Sequence, residues 1–196
     1  AEIKSVSEDT SKQKRKTSVN IVAPSSKYTN ENIVVLVPNI RKPVPLFILM
    51  RALGVTSDKE IIEYCLLDIE KNSHLLEYFI PSVHDANKIF TQELAMEYIS
   101  KFTKHYTSIS VLEILSDYFL PHIGELNLRE KAYYIGYMVN RMLKVKTGME
   151  KPTDRDSFLY KRVDLSGSLL YDLFREYYLI QKREISQKID KEYYYH

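Results

Sequence analysis

Leu46-Phe-Ile-Leu-Met-Arg-Ala-Leu53, stopped at Gly54 and followed by Ser57-Asp-Lys-Glu60, decides the class of fold. The first run is apolar and lies just past Pro43 and Pro45, and Gly54 is suited to the left-handed turn that ends a helix. Ser57 and Glu60 have the spacing of a capping box, Ser57 as N-cap and Glu60 at the third helical position. Behind them Ile61, Ile62, Cys65, Leu66 and Ile69 recur at three- and four-residue intervals, one face of a helix. From Pro45 onward the periodicity stays helical. Short pieces are expected at about 73–80 and 82–90. Thr91 is placed to cap a helix holding Leu94, Ala95, Tyr98 and Ile99. A further helix is expected from about Ser110 to Leu120, stopped by Leu120-Pro-His-Ile-Gly124, where His122 reads as a helper of the last turn. Glu130 to Val145 carries Ala132, Ile135, Val139, Met142 and Leu143 on one face. A last helix is expected from near Gly167 to about Lys191, roughly 35 Å at 1.5 Å per residue.

Upstream of Pro38 the pattern is different. Ser18-Val-Asn-Ile-Val22 and Asn32-Ile-Val-Val-Leu-Val37 read as two strands, separated by Pro24-Ser-Ser-Lys-Tyr-Thr-Asn30, which has hairpin-loop chemistry. A two-stranded ribbon alone is marginal in water, so it must lie on the helices or join another sheet. Residues 1–17 are polar and read as a mobile lead-in or hairpin loop. The expectation is a mostly α domain over 1–196 with a small two-stranded N-terminal β-ribbon, an α+β class.

Composition narrows the function. Across 196 residues, 28 Lys and Arg face 26 Asp and Glu, and 44% of residues are hydrophobic, the balance of a globular domain with a real core. The longest apolar run, Val44 to Met50, is far short of the ~20 residues a membrane span needs. The opening residues lack the apolar core of a secretory signal, and a start at Ala1 rather than Met reads as a piece of something longer. A single cysteine, Cys65, excludes an internal disulfide and a cysteine zinc site, and fits a reducing compartment. Its place on an apolar helix face marks it as an inert thiol. The five histidines (His74, His84, His105, His122, His196) show no ligand spacing, and five glycines build no phosphate cradle. No catalytic residue and no metal ligand is assigned, and the chain does not read as a self-contained enzyme.

The densest constellation is Asp154-Arg-Asp-Ser-Phe-Leu-Tyr-Lys-Arg-Val-Asp164. Asp154 and Asp156 have the spacing for a Mg²⁺ ion, but Arg155 between them competes as their partner. Arg155, Lys161 and Arg162 are candidates to face nucleic-acid phosphates. Asp154, Asp156 and Asp164 are candidates to pin the loop through arginine pairs. Charge is polarised as well: Arg141 to Arg162 carries four more positive than negative charges, Asp58 to Glu77 four more negative than positive. Sixteen tyrosines invite a stacking role, yet Tyr133, Tyr134 and Tyr137 lie beside apolar helix positions.

Four words in order carry a resemblance. They are Lys42-Pro-Val-Pro-Leu-Phe-Ile-Leu-Met-Arg-Ala-Leu-Gly54 with Ser57-Asp-Lys-Glu-Ile-Ile62; Phe119-Leu-Pro-His-Ile123; Lys131-Ala-Tyr-Tyr-Ile-Gly-Tyr-Met-Val-Asn-Arg-Met-Leu143; and Asp154-Arg-Asp with Lys161-Arg-Val-Asp-Leu-Ser-Gly167. Together with Ala1-Glu-Ile-Lys-Ser5 they resemble the lobe domain of second-largest subunits of multisubunit DNA-directed RNA polymerases, of eukaryotic or large-DNA-virus type. Thr153, Ser157, Leu159 and Ser168 depart from the family pattern. The resemblance implies a fragment that forms one wall of the downstream DNA cleft and docks transcription factors on its outer face. It further implies weak contact with template DNA and partners among the other polymerase subunits and domains. No cofactor is expected in this fragment, with Mg²⁺ and Zn²⁺ held elsewhere in the polymerase, and no membrane. The implied location is the nucleus, or the virion and host cytoplasm for a virus. The competing readings are a free-standing helical protein-interaction module that uses the ribbon and acidic helix, and an independent nucleic-acid binder that uses the 141–162 stretch.

Overall fold

A computed structural model of the chain describes residues 1–6, 14–24, 31–154, 156–159, 161 and 163–195. The chain divides into two compact units, residues 1–151 and 152–196.

The first unit opens with a four-stranded antiparallel sheet in chain order: β1 (Glu2–Ser5), β2 (Arg15–Val22), β3 (Asn32–Leu36) and β4 (Val44–Pro45). The central pair, Ser18 opposite Leu36 through Val22 opposite Asn32, is the ribbon the sequence leads one to expect. The sheet has two more strands than that reading. Within the stretch read as a mobile lead-in, Glu2–Ser5 pairs with Arg15–Ser18, and β4 pairs with Val34 and Val35. Pro45 lacks a backbone N–H, so it ends a strand without breaking a ladder. The alternation of strand side chains places Ile3, Thr17, Val19, Ile21, Ile33 and Val35 on one face. Of these, Val19, Ile33 and Val35 enter the main core. β4 is too short to cover β3, and Ser82 occupies the open edge. Its hydroxyl accepts from the Ile33 amide at 3.2 Å and donates to Asn32 Oδ1 at 2.6 Å, satisfying groups an uncovered edge would leave bare.

Helices follow: α1 (Leu46–Ala52), α2 (Asp58–Leu66), α3 (Ile69–Asn72), a 3₁₀ turn over Ser73–Phe79, α4 (Ile80–Asp85), α5 (Gln92–Ser100), α6 (Ser108–Glu113) and α7 (Leu128–Lys146). Every residue of α1 is buried, as an apolar run between sheet and helices demands. Gly54, at φ +94°, turns the chain after it. Thr91 caps α5, its hydroxyl accepting from the Leu94 amide at 3.3 Å. α6 begins two residues earlier than expected, at Ser108 behind the cap Thr107, and widens into a π-turn over Ile114–Tyr118.

The capping box is a correction. Ser57 sits at the N-cap with extended backbone, but its side chain makes no cap hydrogen bond. Glu60 is engaged instead by Arg129 at 2.7 Å and by the Tyr64 hydroxyl at 3.2 Å, and Asp58 by Arg51. Charge-assisted contacts of this kind outcompete a neutral backbone donor for a carboxylate.

The second unit contains a loop and one helix, α8 (Ser166–Tyr195). Leu169, Leu173, Phe174, Tyr177 and Ile180 are all exposed on it.

Candidate functional site

Arg155 and Arg162, two of the three residues expected to face DNA, lie outside the described residues. Lys161 is exposed, its ammonium 3.9 Å from Asp156 Oδ1 with both side chains mostly in solvent, a contact worth little there. Asp154 turns its own loop: Oδ1 accepts from the Asp156 amide at 2.9 Å, and its carbonyl from the Ser157 amide at 3.2 Å. That side chain–backbone turn fixes local structure at Asp154. Asp164 is exposed. The loop therefore offers solvent-facing charge, with Phe158, Leu159 and Val163 exposed beside it.

Two of the four cations in the preceding basic stretch are partnered within the first unit. Arg141 pairs with Glu150 at 2.8 Å. Lys146 pairs with Glu31 and lies over the Tyr78 ring, 5.1 Å from its centre. Lys151 is exposed. Among the described residues no group of three or more His, Cys, Asp or Glu could hold a metal, and no helix is long and apolar enough to cross a membrane. Cys65 is fully buried and burial raises its thiol far above the usual range. The His122 ring packs edge-on against Tyr134, 5.2 Å between centres. Burial, and then the nearby Lys131 ammonium, lower its pKa.

Two buried cations that sequence reasoning passed over hold the first unit together. Arg51, 1% exposed, donates to the carbonyls of Ala86 (2.8 Å) and Ile89 and to Asp58, and stacks over Phe90. It thereby ties α1 to the chain after α4 and to the start of α2. Lys131, 0% exposed, donates to the carbonyls of Leu115 (2.8 Å), Ser116 (2.7 Å) and Glu125 (3.3 Å). A π-turn displaces its carbonyls from the ordinary helical pattern, and Lys131 satisfies two of them. Asn72 and Asn140 both donate to the Leu66 carbonyl, at 2.8 and 3.0 Å, closing the end of α2. A signal for Lys131 was present: it lies four and seven residues before Ile135 and Met138, on their buried face. Arg51 likewise interrupts an otherwise apolar run.

Burial lowers Lys131 to about 8 from 10.5, with the carboxylates of Asp117 and Glu125 opposing the shift. Between those values the unfolded chain binds the extra proton, so stability rises with pH there. From about pH 7 to about pH 9.5 this group alone adds about 2 kcal/mol. A lysine ¹³Cε titration should show a midpoint near 8 for Lys131. No midpoint below about 10 would refute this environment for Lys131.

Residues 4–164 match the family model described as RNA polymerase Rpb2, domain 2. The chain belongs to that family. The RNA polymerase II subunit RPB2 of Encephalitozoon cuniculi is 37% identical over 183 residues, covering 89% of this chain and 15% of that protein. The Schizosaccharomyces pombe RPB2 is 32% identical over 199 residues, 97% of this chain and 16% of its own length. An archaeal relative, the RNA polymerase subunit Rpo2 of Saccharolobus shibatae, is 30% identical over 161 residues, 79% of this chain and 14% of its own. The chain thus spans about 15% of the length of the curated relatives it matches. Three of the words that carry the Rpb2 resemblance coincide with the interior just described. Arg51 and Gly54 fall in the first, Leu120 with its left-handed backbone (φ +46°) in the second, and Lys131 and Gly136 in the third. In this Rpb2 domain those words specify packing.

Proposed function

We propose that the chain serves as the lobe of the second-largest subunit of a DNA-directed RNA polymerase, one wall of the downstream DNA cleft and a docking surface for transcription factors. The observation that carries this reading is the Rpb2 domain 2 match over residues 4–164. It favours a subunit domain over a free-standing interaction module. The other polymerase subunits are the primary partners, and the nucleus is the compartment, following the eukaryotic relatives. The domain contributes no catalytic group. On this reading Mg²⁺ and Zn²⁺ belong to other parts of the assembly.

On this reading Arg155, Lys161 and Arg162 meet phosphates without reading sequence. Support comes from the charge excess of the 141–162 stretch and the exposure of Lys161. The isolated chain should bind duplex DNA at ~10⁻⁴ M or weaker at physiological salt, the weak end of non-specific association. It should incorporate no nucleotide. In the whole polymerase, Arg155→Ala and Lys161→Ala should each lower DNA retention and reduce its salt slope by about one. Arg162→Ala separates a phosphate contact from a structural one, since only the latter lowers the melting temperature of the domain. Unchanged retention and slope in the Arg155 and Lys161 variants would remove this loop from the cleft.

A further inference from the structure

Between the sheet and the acidic segment lies a cleft of about 310 Å³. Ile21, Ile33 and Pro81 supply its apolar lining, Tyr78 an aromatic ring, and Glu31 and Glu77 two carboxylates. Glu77 closes the acidic stretch that begins at Asp58. It is exposed and has no ion-pair partner among the described residues.

The molecule itself shows what this wall receives. The Lys146 ammonium pairs with Glu31 and sits over the Tyr78 ring. A carboxylate and a ring face together form a site for an organic cation. Lys146 uses that pair and leaves Glu77 and the apolar lining unfilled. We propose that the cleft is a docking site for an arginine side chain projected by a partner protein. The stem would lie along Ile21 and Pro81, with the guanidinium on Glu77 and in competition with Lys146 for the Tyr78 ring. Arginine suits this chemistry better than lysine, because its planar, weakly hydrated head stacks on rings and pairs with carboxylates in two-point fashion. The volume is at the small end of ligand sites, which fits one side chain. Two carboxylates disfavour a phosphate, so the occupant is a basic protein segment. The inference goes beyond the polymerase reading and does not need it.

The test is an NMR titration of the 196-residue chain with acetyl-Gly-Arg-Gly-amide and with the same peptide carrying citrulline, which keeps the shape and loses the charge. The arginine peptide should bind weakly, on the order of 1 mM, and move the methyl signals of Ile21 and Ile33. The citrulline peptide should bind about fivefold more weakly, the size of one exposed ion pair. Glu77→Gln should cost a similar factor. Lys146→Met should strengthen binding about threefold or more, because it frees Glu31 and removes a competing cation. Equal binding of the two peptides, or shifts confined to another surface, would overturn the proposal. Should either variant unfold, the peptide comparison on the unaltered chain still decides. Either result leaves the family assignment and the DNA-facing loop untouched.

Discussion

Gly136→Ala should lower the stability of the chain by about 3 kcal/mol, near the upper end of what one extra methyl group costs in a packed interior. α7 crosses α2 at this residue with backbone against backbone. A Cβ at Gly136 would lie 2.4 Å from the Tyr64 carbonyl oxygen, 2.7 Å from its carbon and 3.2 Å from the Cys65 nitrogen. None of these atoms is the free end of a side chain, so relief requires the two helices to move apart. Separation would loosen Ile135 and Val139 on one side and Ile61 and Cys65 on the other, all fully buried. Alanine is the better helix former by about 1 kcal/mol, and that gain is already subtracted. In a domain of this size the loss corresponds to a fall of about 6–12 °C in melting temperature. Gly167→Ala is the matched control, since nothing lies within 4 Å of its added Cβ. It should be neutral or stabilising by up to about 1 kcal/mol. If the two variants melt alike, the close crossing of α2 and α7 is wrong.

Arg51→Met should cost about 2–3 kcal/mol, the scale of buried hydrogen bonds to backbone that are left unmade. Methionine fills much of the space but donates nothing, so the Ile89 carbonyl loses the guanidinium, the Ala86 carbonyl keeps only the Ile89 amide, and Asp58 loses its cation. Arg51→Lys should recover only a minor part, because these acceptors are spaced for the two ends of a planar fork, whereas an ammonium is a single point suited to clustered carbonyls such as those around Lys131. Adding Asp58→Asn to Arg51→Met should change little further, because Asp58 is 39% exposed and water solvates its carboxylate once the arginine is gone. Urea unfolding of the three variants checks this. A loss below about 1 kcal/mol for Arg51→Met would show that the network is not what joins α1 to the chain after α4.

The fold was legible where periodicity is strong and local. α2, α5 and α7 announce themselves by apolar spacing, and Thr91 caps α5 as its position suggests. β1 and β4 were not legible for a different reason. Glu2-Ile-Lys-Ser5 has one strongly apolar residue, and β4 is two residues long. Each is a strand only because a neighbour presents a ladder to it. The capping box failed because nothing near Ser57 reveals that Arg129, sixty-nine residues beyond Glu60, claims that carboxylate. The same distance problem limits the candidate site. A count of charges finds the basic stretch at 141–162, but the partner of Lys146 is Glu31, 115 residues away. Nothing in the local sequence shows that this lysine is already engaged. The buried arginine and lysine could have been suspected from their apolar company, but their acceptors are backbone carbonyls, which no side-chain pattern marks.

Strand order in the sheet follows chain order, and this has a consequence for how the domain is born. Each strand meets its neighbour across a short connection, so the meander closes small loops that cost little entropy. β2 nevertheless packs against α7, which begins at Leu128. A ribbon without a hydrophobic backing is barely stable in water. At roughly 5–20 residues per second on the ribosome, α1 reaches β3 and β4 at once, whereas β2 waits several seconds for α7. A ribosome paused before Leu128 would hold a sheet already backed by α1 at β3 and β4, with the β2 part of the face still open to chaperones.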